Sequence, residues 1–279
     1  MTYVVTATSG HLGRLVVESL IERGIAPDQI LATARDTAKI ADLGVPTAVI
    51  DYAAPETIAD AVTAGDTFLL VSASVPGTRV ALHTAAIDAA IAAGAARIVY
   101  TSAPAATTSA LILAPEHKAT EEYLVATGTP FTILRNGWYT ENYAGVVDTA
   151  KATGEIVASV GDGRVSSASR KDYADAAAVA LIDDTLAGQT VELSGDYAWS
   201  HDELAATIGE IVGREVTYKR VTPEEHAELL TGFGLDEGTV GFVVGLDANT
   251  RDGLLGVVTG DLSRIIGRPT TPLAEGLKA

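Results

Sequence analysis

Over its first 136 residues the chain repeats one pattern, a short apolar run followed by a stretch with helical spacing. The apolar runs fall at 3–8, 29–35, 47–52, 67–74, 97–102 and 131–136. Between them, Leu12, Leu15, Val16, Ser19 and Leu20 recur at helical intervals. Two further helical stretches close on Gly94 and Gly128, residues suited to a helix C-terminus. Strands buried on both faces and separated by helices require right-handed crossovers. The expected fold is therefore α/β, a doubly wound parallel sheet of Rossmann type.

After residue 136 the pattern loosens. Residues 170–183 still read as a helix, and 190–195 as a strand returning to the main sheet. Ser200 and Glu203 stand in capping-box positions ahead of another helix. The stretches 233–245 and 265–273 follow no regular period. These features divide the chain into a Rossmann-type domain over 1–195 and a smaller lobe over 196–279, with part of 137–157 able to join the lobe.

Composition narrows the functions open to such a fold. A formal charge of −17 repels phosphates over most of the surface, so no nucleic-acid partner is expected. A local pocket for a small phosphorylated ligand stays compatible with it. No cysteine is present, which removes disulfides, thiolate catalysis and cysteine metal sites. The N-terminus has no signal-peptide pattern, and no apolar run approaches the ~18 residues of a membrane span. A cytoplasmic protein without a membrane partner is expected.

The first strand-to-helix connection, "VVTATSGHLGRLVVESL" at 4–20, carries glycines at Gly10 and Gly13 but Ala7 where a third is usual. Free N–H groups at a helix N-terminus can meet a phosphate. Gly10 would let the backbone approach it, and Gly13 would let the helix pack close to the sheet. Thr8 and Ser9 could add hydroxyl donors. The same spacing also suits an ordinary tight connection. The end of the second strand favours the first reading. Arg35 stands where such folds meet the adenosine ribose, and an arginine there pairs with a 2′-phosphate and selects NADPH. Lys39 follows four residues later, within reach if a helix begins at Thr37. Asp51 and Tyr52 could border an adenine. Ser72, Ala73 and Ser74 are small enough to let a cofactor pass the end of the fourth strand.

Familiar catalytic sets are missing. None of the nine tyrosines is followed by lysine at the fourth position, so the usual alcohol–carbonyl proton donor pair is absent. The five histidines form no metal-binding spacing, and no G-x-S-x-G elbow occurs. His117 and Lys118 begin an expected helix near the fifth and sixth strand ends, either beside a site or on a plain surface helix terminus.

The run "LRNGWYTENYAG" at 134–145 is unusual for a strand exit. With "GDGRVSSASRKDYADAAAVAL", "VELSGDYAWS" and "IIGRPTTPLAE" it resembles the type 2 NAD(P)H:quinone oxidoreductases, in the NmrA-like branch of the atypical short-chain dehydrogenase/reductase superfamily. The likeness runs over essentially the whole chain. It implies NADPH (with NADH possible) and hydride transfer to a quinone-like small molecule without flavin or metal. It also implies cofactor contacts from Ala7, Thr8, Ser9, Gly10, His11 and Leu12, from Arg35, and from Ser72, Ala73 and Ser74. The segment Asn136, Gly137, Trp138, Tyr139, Thr140 and Glu141 would border the nicotinamide, with Arg170 in another matching run. Trp138, Tyr139 and Asn142 would wall the acceptor pocket, with His117 opposite; His117, Tyr139 and Asn142 are the catalytic candidates. A non-catalytic NADP sensor of the NmrA type, or a biosynthetic or dye reductase, are the alternatives the same resemblance allows. Ala7 departs from the branch, and is strained if its φ is positive.

Overall fold

The computed structural model describes every residue except Ser74, Pro76 and Ala279. Seven strands form one sheet: β1 (Tyr3–Val5), β2 (Ile30–Ala34), β3 (Thr47–Val49), β4 (Thr67–Leu70), β5 (Arg97–Ser102), β6 (Phe131–Asn136) and β9 (Thr190–Leu193). Their order is β3-β2-β1-β4-β5-β6-β9, and every neighbouring pair is parallel. The doubly wound fold read from the sequence is present. The order reverses between β1 and β4, so a crevice opens beyond the carboxyl ends of those strands. Helices α1 (His11–Glu22), α2 (Glu56–Ala61), α3 (Arg79–Ala92), α4 (Ala114–Ala126) and α6 (Arg170–Ile182) make the crossovers. One core layer joins Val4, Phe68, Leu70, Ile98 and Ile133 of the sheet to Ile58, Ile87, Ala90 and Leu124 of the helices. Alanines dominate the buried face of α6, which lets it lie close to its neighbours. Ser19 of α1 donates to Asp175 of α6 at 2.6 Å.

The chain divides into two compact units. The first holds 1–107, 115–136 and 170–193, and the second holds 108–114, 137–169 and 194–279. A single boundary at 195 does not describe this partition. The chain leaves the sheet after β6, contributes 137–169 to the second unit, then returns through α6 to lay β9 beside β6.

Within the second unit, β7 (Glu155–Ala158) pairs in parallel with β11 (Thr217–Arg220), and β8 (Arg164–Val165) pairs antiparallel with β10 (Trp199–Ser200). Around them lie α5 (Ala144–Thr153), α7 (His201–Val212), α8 (Pro223–Gly232), α9 (Glu237–Arg251), α10 (Asp261–Ile266) and α11 (Leu273–Gly276). The Ser200/Glu203 capping box forms at the head of α7 as expected. The stretch 233–245, expected to be irregular, instead runs into the 15-residue helix α9. Asp236 caps it, accepting from Thr239 N at 3.1 Å and from Thr239 Oγ1 at 2.7 Å, and this cap starts a helix that glycine content argued against. No described helix is long and apolar enough to cross a membrane.

Candidate functional site

A groove of about 310 Å³ lies in the first unit at the carboxyl edge of the sheet. Ala7, Ser9 and Gly10 line it after β1, Arg35 after β2, Asp51 and Tyr52 after β3, and Val71, Ser72 and Ala73 after β4. This is the crevice that the strand reversal predicts.

The floor is the turn from β1 into α1. Ala7 has φ +53°, in the left-handed region, and Gly10 N donates to Ala7 O at 2.9 Å to close the turn. Gly10 itself has φ −93°, so its conformation does not require glycine. A Cβ there would approach Ala7 O to 3.3 Å. Gly13 is fixed by contact: a Cβ would stand 2.7 Å from both Thr6 O and Ala7 O. No side chain caps α1, and its first turn carries no carboxylate. The helix therefore presents uncapped amide donors and the positive end of its dipole, a cradle for an anion.

Several expected contacts sit differently. Thr8 gives both its amide and its hydroxyl to Thr33 O, each at 2.9 Å, so it anchors the turn from within and offers the groove no donor. Its neighbour Ser9 is exposed and lines the groove. His11 is exposed at the start of α1 and Leu12 is buried, neither among the lining residues. Arg35 is exposed on the groove wall, and no described carboxylate pairs with it. The nearby Asp36 is occupied, accepting from Ala38 N at 3.1 Å to cap the 3₁₀ turn Thr37–Leu43. Lys39 is exposed on that turn, which Arg14 braces by donating to Lys39 O at 2.9 Å and pairing with Asp42 at 2.8 Å. Ser74 lies outside the described residues.

The fourth-strand wall is held by side chains that sequence reasoning passed over. Thr6 Oγ1 donates to Leu69 O at 2.7 Å and accepts from Val71 N at 3.0 Å, and the Tyr52 hydroxyl lies 2.5 Å from it. Ala73 N donates to His83 Nε2 at 2.8 Å, which places the imidazole proton on Nδ1, directed to Thr120 Oγ1 at 3.1 Å. Arg79 Nε donates to Ala73 O at 2.8 Å while its Nη1 pairs with Glu116 at 2.8 Å, and Glu116 also accepts from Gly77 N. Their signal in the sequence was an arginine and a histidine on the buried face of a helix following the strand.

His117 is neither on the surface nor among the groove-lining residues. It is buried on α4, with Nδ1 2.7 Å from the Tyr100 hydroxyl. Burial, with Arg79 and His83 nearby, pushes its pKa down to about 3, and burial with Arg79 pushes His83 to about 4. Burial raises Tyr100, so the pair is a neutral phenol and a neutral imidazole. Asn136 ends β6, buried in the first unit. Arg170 opens α6, half-buried and apart from the groove-lining residues.

Gly137, Trp138, Tyr139, Thr140, Glu141 and Asn142 belong to the second unit. Tyr139 bridges Ala168, Ala168 N donates to Trp138 O at 3.1 Å, and Thr140 N donates to Ala168 O at 2.9 Å. Thr140 Oγ1 lies 2.9 Å from Ser167 Oγ, which also accepts from Trp199 Nε1. Asn142 lines a cavity of that unit, whereas Trp138 and Tyr139 do not. Among the described residues no group of three His, Asp or Glu side chains could hold a metal ion.

Comparison with known proteins agrees with this geometry. Residues 8–184 match the family model described as NAD(P)H-binding. Quinone oxidoreductase 2 of Escherichia coli is 38% identical over 276 residues, 98% of this chain and 96% of that protein. The crystal structure of the Escherichia coli NADPH-dependent quinone oxidoreductase complexed with NADPH superposes with a TM-score of 0.93, covering 100% of this chain and 99% of that one. The Citrobacter sp. triphenylmethane reductase complexed with NADP(H) gives a TM-score of 0.93 at 31% identity, covering 99% of each chain. An anion cradle at a topological switch point, inside a matched stretch that spans more than half the sequence, leads to one assignment: the chain belongs to the NAD(P)H-binding family.

Proposed function

We propose that the protein is an NADPH-dependent oxidoreductase that reduces quinones or similarly flat, conjugated acceptors by direct hydride transfer, without flavin. The observation that carries the cofactor choice is Arg35, an exposed guanidinium on the groove wall with no described carboxylate to neutralise it. A 2′-phosphate is the anion such a site selects; an acidic residue there would select the 2′-hydroxyl of NADH instead. The residues present fit the dinucleotide: the uncapped head of α1 takes the pyrophosphate, Gly10 and Gly13 keep side chains out of its way, and Asp51 and Tyr52 flank the adenine side. Lys39 adds positive charge beside Arg35. Ser72 and Ala73 leave room past β4, on a loop that Arg79 and His83 hold in place. The segment 136–141 borders the nicotinamide in this reading, with Arg170 contributing from its own run.

A reduced nicotinamide, when bound, supplies the hydride. The chain's part is proximity and orientation. A quinone becomes a stabilised phenolate on accepting hydride, and water can protonate it, so the missing tyrosine–lysine pair is no obstacle. His117, held neutral beside Tyr100, acts by hydrogen bonding and not as a cationic acid. Asn142 and Tyr139 remain the candidates for contact with the acceptor. The quinone and dye reductases among the relatives support this acceptor class.

The test is loss of absorbance at 340 nm with NADPH and benzoquinone or menadione, repeated with NADH. Arg35→Ala should weaken NADPH binding by about 1.5–3 kcal/mol, as expected for a hydrogen-bonded charged partner, and leave NADH almost unchanged. Equal losses on both cofactors would remove the 2′-phosphate role, and no turnover with any acceptor would remove the reductase.

A further inference from the structure

A second cavity lies wholly within the second unit, bounded by α5, β7, α8 and α9. Its volume is about 620 Å³, within the range of small-molecule sites. Val146, Ile156, Leu230 and Val243 make much of its wall apolar, and against them stand His201, His226 and Asp247.

The polar groups are arranged to fix one nitrogen. Asp247 Oδ2 accepts from Ser159 N at 2.6 Å, Ser159 Oγ at 2.8 Å and His226 Nδ1 at 2.8 Å. Burial alone would raise this carboxyl, but the His226 and Ser159 hydrogen bonds outweigh it and hold the pKa below its ordinary value. A carboxylate can only accept, so the proton between the two groups sits on Nδ1. In the neutral ring that leaves Nε2 with its lone pair, and no described protein group takes it. Second, the His201 ring is 5% exposed and packs against Tyr143, Trp199 and Tyr218, with its Nδ1 buried and unpartnered. Native interiors seldom leave such an atom unpaired without a role for it.

The electrostatics narrow the ligand. Lys219 and Glu155 also line the cavity, but they are exposed and opposite in charge; the buried charge an anion would meet is Asp247, and a cation would find that carboxylate already accepting three hydrogen bonds. A quinone oxygen has no proton to offer the Nε2 lone pair, whereas a phenolic hydroxyl has one. We propose that this cavity binds uncharged aromatic alcohols of the phenol or naphthol class, the hydroxyl donating to His226 Nε2 and the ring lying on the apolar wall.

The test is calorimetric titration of the full chain, without nicotinamide, using 1-naphthol and 1-methoxynaphthalene. The naphthol should bind saturably at one site, and the methyl ether roughly tenfold more weakly, since it keeps the ring and loses the donor. His226→Asn keeps an amide N–H for Asp247 and removes Nε2, so it should abolish the preference. Val243→Trp should fill the cavity and abolish binding. Ring-¹⁵N NMR of the unmodified chain should show the His226 Nε2 resonance shifting with naphthol, a readout that needs no variant. Absence of saturable naphthol binding, equal affinity for the ether, an unmoved Nε2 resonance, or binding that survives Val243→Trp would each overturn the proposal. With no nicotinamide present, these outcomes leave the reductase reading untouched.

Discussion

At Ala7 the chain holds a left-handed conformation with a residue that resists it. A side chain at positive φ costs about 1–2 kcal/mol, while glycine's greater freedom when unfolded returns about 0.4–1 kcal/mol of that. Ala7→Gly should therefore stabilise the protein by about 0.5–1 kcal/mol in urea unfolding, with NADPH affinity equal or improved. A fall in stability would show that the methyl group makes compensating contacts. Gly13 is the opposite case. Gly13→Ala presses a methyl group onto two backbone oxygens that cannot swing aside, and should cost about 1–3 kcal/mol together with cofactor binding. From the sequence, both outcomes at Ala7 were open, because φ is set by how the turn closes. The inward turn of Thr8 was equally hidden, since a threonine in such a turn can face either way. Arg35 was legible because its position relative to the strand end fixes its side of the sheet edge.

The elements of the sheet were legible because burial on both faces writes itself as continuous apolar runs. The links between elements were not. Arg135 of β6 pairs with Glu121 of α4 at 2.6 Å and with Glu192 of β9 at 2.7 Å, and Ser102 of β5 donates to Glu121 at 2.5 Å. Glu121 is 3% exposed, so the guanidinium is the opposite charge that compensates its burial. Arg135→Leu should destabilise the first unit by about 3–5 kcal/mol, as removal of one partner from a buried pair does. Adding Glu121→Leu should recover part of the loss, because no buried charge is then left alone. Denaturation midpoints that fall additively in the double variant would show that the two residues do not act as a pair. No local pattern announces such a network, since its members lie 14 and 57 residues apart. The cap of α9 was not legible either: Gly238, Gly241 and Gly245 interrupt the apolar period, and the helix start rests on the single side chain of Asp236.

Across the whole molecule the second unit is the part least written in local sequence, because its segments 108–114, 137–169 and 194–279 carry no repeating strand–helix pattern like that of the first 136 residues. A returning strand such as β9 can be recognised by itself, but which segments pack together depends on contacts distant in the chain. What both units share is a set of buried neutral imidazoles. Burial, with Arg79 and in one case His83, pushes His83 to about 4 and His117 to about 3; burial, outweighing Asp247 and Asp202, pushes His201 to about 4. Unfolded, each takes its proton near the ordinary pKa of about 6.5. Between pH about 6.5 and 4 the unfolded chain thus binds up to three more protons than the folded one. Stability rises with pH wherever that is so, and therefore falls as pH drops through this window, each proton contributing about 1.4 kcal/mol per pH unit at full uptake. Below about 4 His83 and His201 protonate in the folded state too, and below about 3 so does His117, so their contribution levels off, while carboxylates held low, such as Asp247, begin to titrate. Urea unfolding from pH 7.5 to 4.5 should show this loss. If the units unfold in separate steps, the first should carry two of the protons and the second one, because His83 and His117 belong to the first and His201 to the second. His201→Phe should flatten only the second step, at little or no cost near pH 7, since it removes a nitrogen that has no partner. A stability curve flat across the window would mean that these rings titrate at their ordinary value and are not buried neutral.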